Sequence, residues 1–264
     1  HKGAASSGLG ADAARCVYIG SNGGTLTNTG GDMGANLRQV ANHLVLEADS
    51  KVKAQKNFGL IAQGHNATSI EMGGHTLTID GPSTFYVINA TITGGGAIDV
   101  HSGTLNFNGA GSGRGTFASN FVLSGGTLSG NDLTLANDIY IETQANSNMS
   151  LSVKRQGHDI TFKGDANLTV SGNLTGVGAI AKEGAGALTL SGSLDVNGTI
   201  LLDGGSLALN GAVTLNTNNI GAFEVFDSTG QTYSYEAKGS GFLSNPGQYY
   251  LVKGTGSATA SHGT

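Results

Sequence analysis

From Leu44 onward the chain is written in short alternating segments: LVLEA, SIEM, TLTID, AIDV, TLNFN, DLTLA, DITFK, NLTVSG, ALTLSG, TILLDG, SLALNG and AVTLN. Each runs four to six residues with an apolar side chain at every second position. A period of two is the pattern of a strand with one buried face. Gly, Asn or Ser stands between the segments and supplies the positive-φ corners that tight turns need. Helical periodicity is scarce. ADAARCVYI (11–19) predicts a helical turn or two, and GANLRQVANHL (34–44) fits helix and strand equally well.

A motif of small residues leading into a leucine recurs, with Leu26, Leu77, Leu105, Leu128, Leu188 and Leu207 at the same place in each copy. Several of the gaps between them fall in the twenties or at a multiple of that. Such a period marks stacked units that bury a core only against their neighbours. The expected fold is all-β, a right-handed parallel β-helix with one leucine per coil stacked inward. Two longer stretches also match. His75, Gly81 and Leu105 align with His158, Gly164 and Leu188 at an offset of 83, while Gly94 and Ile98 align with Gly176 and Ile180 at 82. An internal duplication with one deletion explains both offsets.

From residue 223 the style changes: FEVFDSTGQTYSYEAKGSGFLSNPGQYYLVKGTG holds four of the seven tyrosines. Open solenoid ends expose strand edges that polymerise unless covered, so this stretch reads as a cap and SATASHGT as a flexible tail. The expected organisation is an N-terminal cap region at 1–40, a first β-helical half at 41–130, a second at 131–222, and a C-terminal cap and tail at 223–264.

Composition narrows the class. Gly is 45 of 264 residues against a usual ~7%, but Pro is only 2, which excludes collagen and Pro-rich linkers. Charged residues are 12% with a net charge of −5, so the low-hydrophobicity, high-charge signature of disorder is missing. No basic footprint for nucleic acid or anionic membranes is present. No apolar stretch approaches the ~20 residues of a transmembrane helix. HKGAASSGLG is too polar for a signal-peptide core and reads as a processed or engineered start. Cys16 is the single cysteine. It is expected to be a small buried hydrophobe, since no His with Asn or Asp stands near it in sequence.

TGVGAIAKEGAGALTLSGSLDVNGTILLDGGSLALNG (175–211) resembles the autotransporter-associated β-strand repeat. Gly176, Gly178, Ile180, Lys182, Gly184, Gly186, Leu188, Leu190 and Gly192 occupy that family's pattern. Residues 73–109 are similar to a weaker copy, with Val100 and His101 in place of the lysine. The resemblance implies an exported bacterial passenger and no particular activity. Such passengers usually precede an outer-membrane barrel, and the amphipathic strands of one are not in this sequence.

Candidate chemistry rests on carboxylates. Neighbouring coils lie ~4.8 Å apart, so two aspartates one coil apart can flank a bond or share a proton. Asp80 with Asp99, Asp138 with Asp159, and Asp203 with Asp227 have coil-like spacings. FEVFDSTG (223–230) is similar to the Asp-Thr-Gly turn of aspartic proteases, with one residue too many before the glycine. Asp203 and Asp227 are therefore the candidate catalytic pair, against the plainer reading of Asp227 as a turn residue. QGHD (156–159) is similar to the Gly-His element of pectin-cleaving β-helix enzymes but lacks the acidic elements that precede it there. His75 holds the same place in the other half, which favours corner packing. No metal motif, P-loop or cofactor fingerprint is found, so no metal and no cofactor is expected. The function expected is binding or adhesion to extracellular, mucin-like glycoprotein or glycan by a secreted or surface-exposed module. An aspartic-type protease is the alternative, and pairing of two copies through solenoid ends or edges is expected to be open to it.

Overall fold

The computed structural model describes residues 16–32, 43–60, 68–88, 90–107, 116–131, 133–196, 199–211, 213–215, 222–227, 232–236 and 257–260. Among these the regular structure is all strand, arranged as a parallel β-solenoid. The chain clusters into two compact units, His1–Leu133 and Thr134–Thr264.

In the first unit the coils build three parallel sheets, the first two with five strands and the third with four, the first coil adding none to the third among the described residues. The first sheet holds Cys16–Ile19, His43–Leu46, Thr68–Glu71, Ala90–Thr93 and Thr116–Phe117. The second holds Thr25–Thr27, Ser50–Lys53, Thr76–Asp80, Ala97–Val100 and Asn120–Leu123. The third holds Phe58–Leu60, Thr84–Val87, Thr104–Phe107 and Thr127–Gly130. Because side chains alternate, in-register strands stack like on like. Leu44, Ile70, Ile92 and Phe117 form one buried column, and Leu77, Ile98 and Phe121 another. The Phe117 and Phe121 rings stack at 4.4 Å, and Phe107 meets both edge-on at 6.3 and 6.0 Å. Four of the six motif leucines stack inward in the third sheet: Leu105 lies between Phe85 and Leu128, and Leu188 opposite Leu207, all buried. Leu77 is buried in the second sheet instead, and Leu26, in the same sheet, is only half-buried.

The second unit repeats the plan. Its sheets run Leu133–Leu135, Val153–Lys154, Leu174–Thr175, Leu194–Val196 and Val213–Leu215; then Ile139–Thr143, Ile160–Gly164, Ile180–Glu183, Thr199–Asp203 and Ala222–Asp227; then Ser147–Met149, Leu168–Val170, Ala187–Leu190 and Ser206–Leu209. One arginine and one lysine share this core. Arg155 is fully buried and donates through Nη1 to the Gly178 carbonyl and through Nη2 to the Gly176 carbonyl, each at 2.5 Å, and to the Asp195 carbonyl. Lys182 sits at the inward register position between Phe162 and Leu202, and its Nζ donates to the Glu183 and Gly184 carbonyls at 2.5 and 2.7 Å. Burial lowers the pKa of both, against the opposing pull of Asp195 and Asp159 on Arg155 and of Asp165 and Glu183 on Lys182.

Three expectations are corrected. Residues 16–19 are a strand, not the end of a helical turn: Cys16–Ile19 pairs in parallel with His43–Leu46, and this pairing outweighs a weak local propensity. Cys16 is exposed, because it occupies an outward position of that strand. Ser257–Ala260 of the supposed tail adds to the third sheet beside Ser206–Leu209. In the cap region, Ala222–Asp227 and Thr232–Glu236 form an antiparallel pair, while 237–256 lies outside the described residues.

Corners are held by side-chain oxygens. Asp49 accepts from the Thr76 amide, Asn57 from Thr84, Asn146 from Asn167, Asn167 from Ala187, Asn173 from Ser193 and Asp165 from Ala185, all at 2.8–2.9 Å. In each of these the acceptor belongs to one coil and the donor to the next. Asp195, which accepts from Gly176 at 2.7 Å, runs the other way.

Candidate functional site

The two Gly-His stretches occupy equivalent corners. His75 Nδ1 lies 3.8 Å from Asp49 Oδ1, and His158 Nδ1 lies 3.4 Å from Asp138 Oδ1. In each case the aspartate comes from the previous coil and also accepts the amide one residue after the histidine, from Thr76 and Asp159. One coil further on, a glycine passes over the histidine carbonyl. Gly96 (φ 79°) and Gly178 (φ 134°) are left so little room that a Cβ on either would overlap that oxygen. Each repeated stretch thus encodes a corner: an aspartate below, a histidine, and a glycine above.

The three aspartate pairs fare differently. Asp138 and Asp159 are in step, and each accepts an amide of the coil that follows it, at 2.9 and 2.6 Å. Asp80 and Asp99 are out of step: Asp99 lies opposite Thr78 and Val122, and each aspartate takes a serine hydroxyl from the following coil. Asp80 Oδ1 accepts from Ser102 Oγ at 2.6 Å and from the Gly81 amide at 2.8 Å, with Lys51 Nζ 3.6 Å from Oδ2. The Ser102 bond, helped by the Gly81 amide and Lys51, lowers the Asp80 pKa against a partial desolvation. A carboxylate held below its unfolded value near ~3.9 contributes stability that is complete above that value. That stability is lost as pH falls through the lower native value. Ser102→Ala is expected to cost about 1–2 kcal/mol at pH 7 and to shrink the loss of Tm on acidification from pH 5 to pH 2. Thermal melts across that range check both.

Asp203 and Asp227 are on adjacent strands but not in register. The pairing sets Ile200 opposite Val225 and Leu202 opposite Asp227, so Asp227 falls one position short of Asp203. On its other side Asp203 stands opposite Glu183. The carboxylates that adjacent strands do align are therefore Glu183 and Asp203. Reasoning from aspartate spacings missed Glu183. The signal was the shorter step of these coils, which carries Ile180 to Ile200.

Glu183 and Asp203 belong to the outward face of the second unit's second sheet. Tyr140 and Glu142 come from Ile139–Thr143, and Lys163 from Ile160–Gly164. Lys163 Nζ lies 3.2 Å from Glu142 Oε2 and 3.6 Å from the centre of the Tyr140 ring. At the corner ends of these strands an open groove of 680 Å³ is lined by Glu142, Gln144, Lys163, Asp165 and Glu183, together with Thr143, Gly164, Ala166 and Gly184. Exposed Asp203 continues the row past Glu183. Lys182 is buried and held by its two carbonyl bonds. The lining offers hydroxyl-binding acceptors and donors and a surplus of negative charge. Among the described residues no three His, Cys, Asp or Glu side chains converge as a metal site. The GSGRG loop and His65 lie outside the described residues.

No protein-family model matches the chain, and no curated protein or solved structure does so.

Proposed function

We propose that the protein is a secreted or surface-exposed bacterial β-helix module that binds extracellular mucin-like glycoprotein through its glycan chains. The observation that carries this reading is the open polar groove beside Glu183. It is open, and its lining is carboxylate, amide and ammonium, which suits a chain of sugar hydroxyls more than a small apolar ligand. The adjoining third sheet supports it with an outward column of Asn148, Thr169 and Thr189 in register. The repeat resemblance at 175–211 is the basis for placing the module outside the cell. The acidic surplus favours neutral glycans over sialylated ones.

The test is saturable binding to an immobilised mucin-type glycoprotein before and after sialidase treatment. Tighter binding after treatment is expected, with a loss of about tenfold, or ~1.4 kcal/mol, in the Glu183→Gln/Asp203→Asn double variant. Absence of saturable binding to either surface refutes the reading.

A second reading, aspartate-dependent hydrolysis of such glycoproteins, is favoured by one observation: Glu183 and Asp203 are in-register carboxylates on adjacent strands. Fragment analysis across pH 3 to 8 with Asp203→Asn, Asp227→Asn and Glu183→Gln separates it from binding. Acid-optimal cleavage lost with Asp203 and with Glu183, but kept in Asp227→Asn, points to the aligned pair.

A further inference from the structure

On the outward face of the first unit's first sheet, side chains from three strands fall into one row. Cys16, His43 and Ser69 are successive register partners in Cys16–Ile19, His43–Leu46 and Thr68–Glu71. In-register residues of adjacent strands lie about 4.8 Å apart, so the thiol and the imidazole are neighbours. The ring is oriented from its other side: His43 Nδ1 is 2.6 Å from Ser69 Oγ. In the tautomer in which Nδ1–H donates to Ser69 Oγ, Nε2 is the nitrogen that takes the thiol proton. Two residues along its own strand from Cys16, Tyr18 is 66% exposed. Its pKa is raised, chiefly by a side-chain hydrogen bond with Cys16 and by the charge of the sulfur when that is ionised, and Glu71 and Glu47 add smaller contributions. The sulfur is thus flanked by a base and by a hydroxyl donor, and it is open to solvent. A nucleophile, a base beside it and a third group that orients the base form the arrangement that activates thiols in covalent chemistry.

We propose that Cys16 is a reactive modification site that undergoes thiol–disulfide exchange with low-molecular-weight disulfides, with His43 as its base and Ser69 as the positioning residue for His43. His43 takes the thiol proton, and the thiolate attacks one sulfur of the disulfide. A Cys16–S–S–R bond forms as the original S–S bond breaks, and the departing thiolate recovers the proton from His43. The incoming disulfide is the oxidant, and no other co-reactant is required. Tyr18 stabilises the attacking sulfur through its hydroxyl, while Glu47 and Glu71 are the acidic groups near the site and oppose the build-up of negative charge. The proposal does not depend on the glycan groove, which lies in the other unit.

The test uses the full chain and oxidised glutathione as the probe, with the rate of adduct formation read by intact mass. The folded protein is compared with the same chain in urea. An unassisted thiol is only a few per cent ionised at pH 7, so the folded protein is expected to react about tenfold faster than the unfolded one. His43→Gln is expected to fall to the unfolded rate and to move the rising limb of the rate–pH profile to higher pH. Ser69→Ala is expected to fall partway, with Ser69→Thr restoring the rate. Tyr18→Phe is expected to be several-fold slower than the wild type. Far-UV circular dichroism confirms that each variant is folded. All these side chains are on the outer face of the sheet, so their replacement leaves the core columns intact. A folded protein that reacts no faster than the unfolded chain overturns the proposal. So does a His43→Gln rate equal to the wild type, or accumulation of a protein–protein disulfide in place of the glutathione adduct.

Discussion

Arg155→Ala is expected to lower the free energy of unfolding by about 3–5 kcal/mol, a large part of what a domain of this size holds in reserve. Among the described residues Arg155 is the largest fully buried side chain, and its Nη atoms reach the carbonyls of Gly176, Gly178 and Asp195. Gly176 and Gly178 are one coil away from it and Asp195 two, so one side chain ties three coils together. Its Nε is buried without a partner, so the stabilisation comes from the two terminal nitrogens. Alanine leaves those carbonyls without their donor in a site that water reaches poorly, and each buried group left unpaired costs about 1–3 kcal/mol. Desolvation of the guanidinium, seen in its lowered pKa, offsets part of the loss. Arg155→Met separates the contributions, since it restores volume and no donors. It is expected to recover only the cavity part, so most of the destabilisation should remain. Urea unfolding with an unchanged m value checks both variants. A cost below ~1 kcal/mol for alanine would mean that the carbonyls find other donors.

Gly178→Ala is the second large effect, at about 3 kcal/mol or more. Two causes add. The φ of 134° lies in a region that costs a side-chain-bearing residue about 1–3 kcal/mol. The new methyl also overlaps the His158 carbonyl of the coil beneath, and the atoms it meets there are all His158 backbone, so no flexible atom can yield. Relief requires the coils to separate at that corner, which loosens the Arg155 bonds to Gly176 and Gly178. Gly96→Ala in the first unit meets the same obstruction from His75. Thermal melts of the two single variants are expected to show similar falls in Tm, because the corner is built the same way in both.

Particular residues show how far the sequence could be read. The strands were legible because each coil buries one face of each strand, and a period of two survives in segments as short as TLTID. The corners were legible as glycines, and the repeated Gly-His stretch was legible as a corner. Register was not, because coil length varies. In the second sheet a longer coil carries Val52 to Ile79 and a shorter one carries Ile79 to Val100. Spacing alone therefore could not align Asp203 with Glu183 or separate it from Asp227. Lys182 was visible as a motif position, but its inward direction depends on the Glu183 and Gly184 carbonyls, which only the folded corner presents. The Cys16–His43–Ser69 row was hidden for a related reason. Its members come from three different coils, and the chain between the first two held a pattern that fitted a helix as well as a strand.

The corner bonds give the solenoid a polarity. From Asp49 to Thr76, and again from Asn146 to Asn167 to Ala187, a finished coil presents an oxygen that the next coil's amide is aimed to meet. Most of these corners thus run one way, a coil presenting the acceptor to its successor, while Asp195, which serves Gly176, and Ser102, which serves Gly81, run the other way. Trimming a unit from its C-terminal side removes donor amides and leaves behind side-chain oxygens that water readily resolvates. Trimming from the N-terminal side removes the acceptors that fix how the following turn begins. A chain emerging N-terminus first would find most of these corners already prepared, whereas one started from the other end would have to close most turns before their anchors existed.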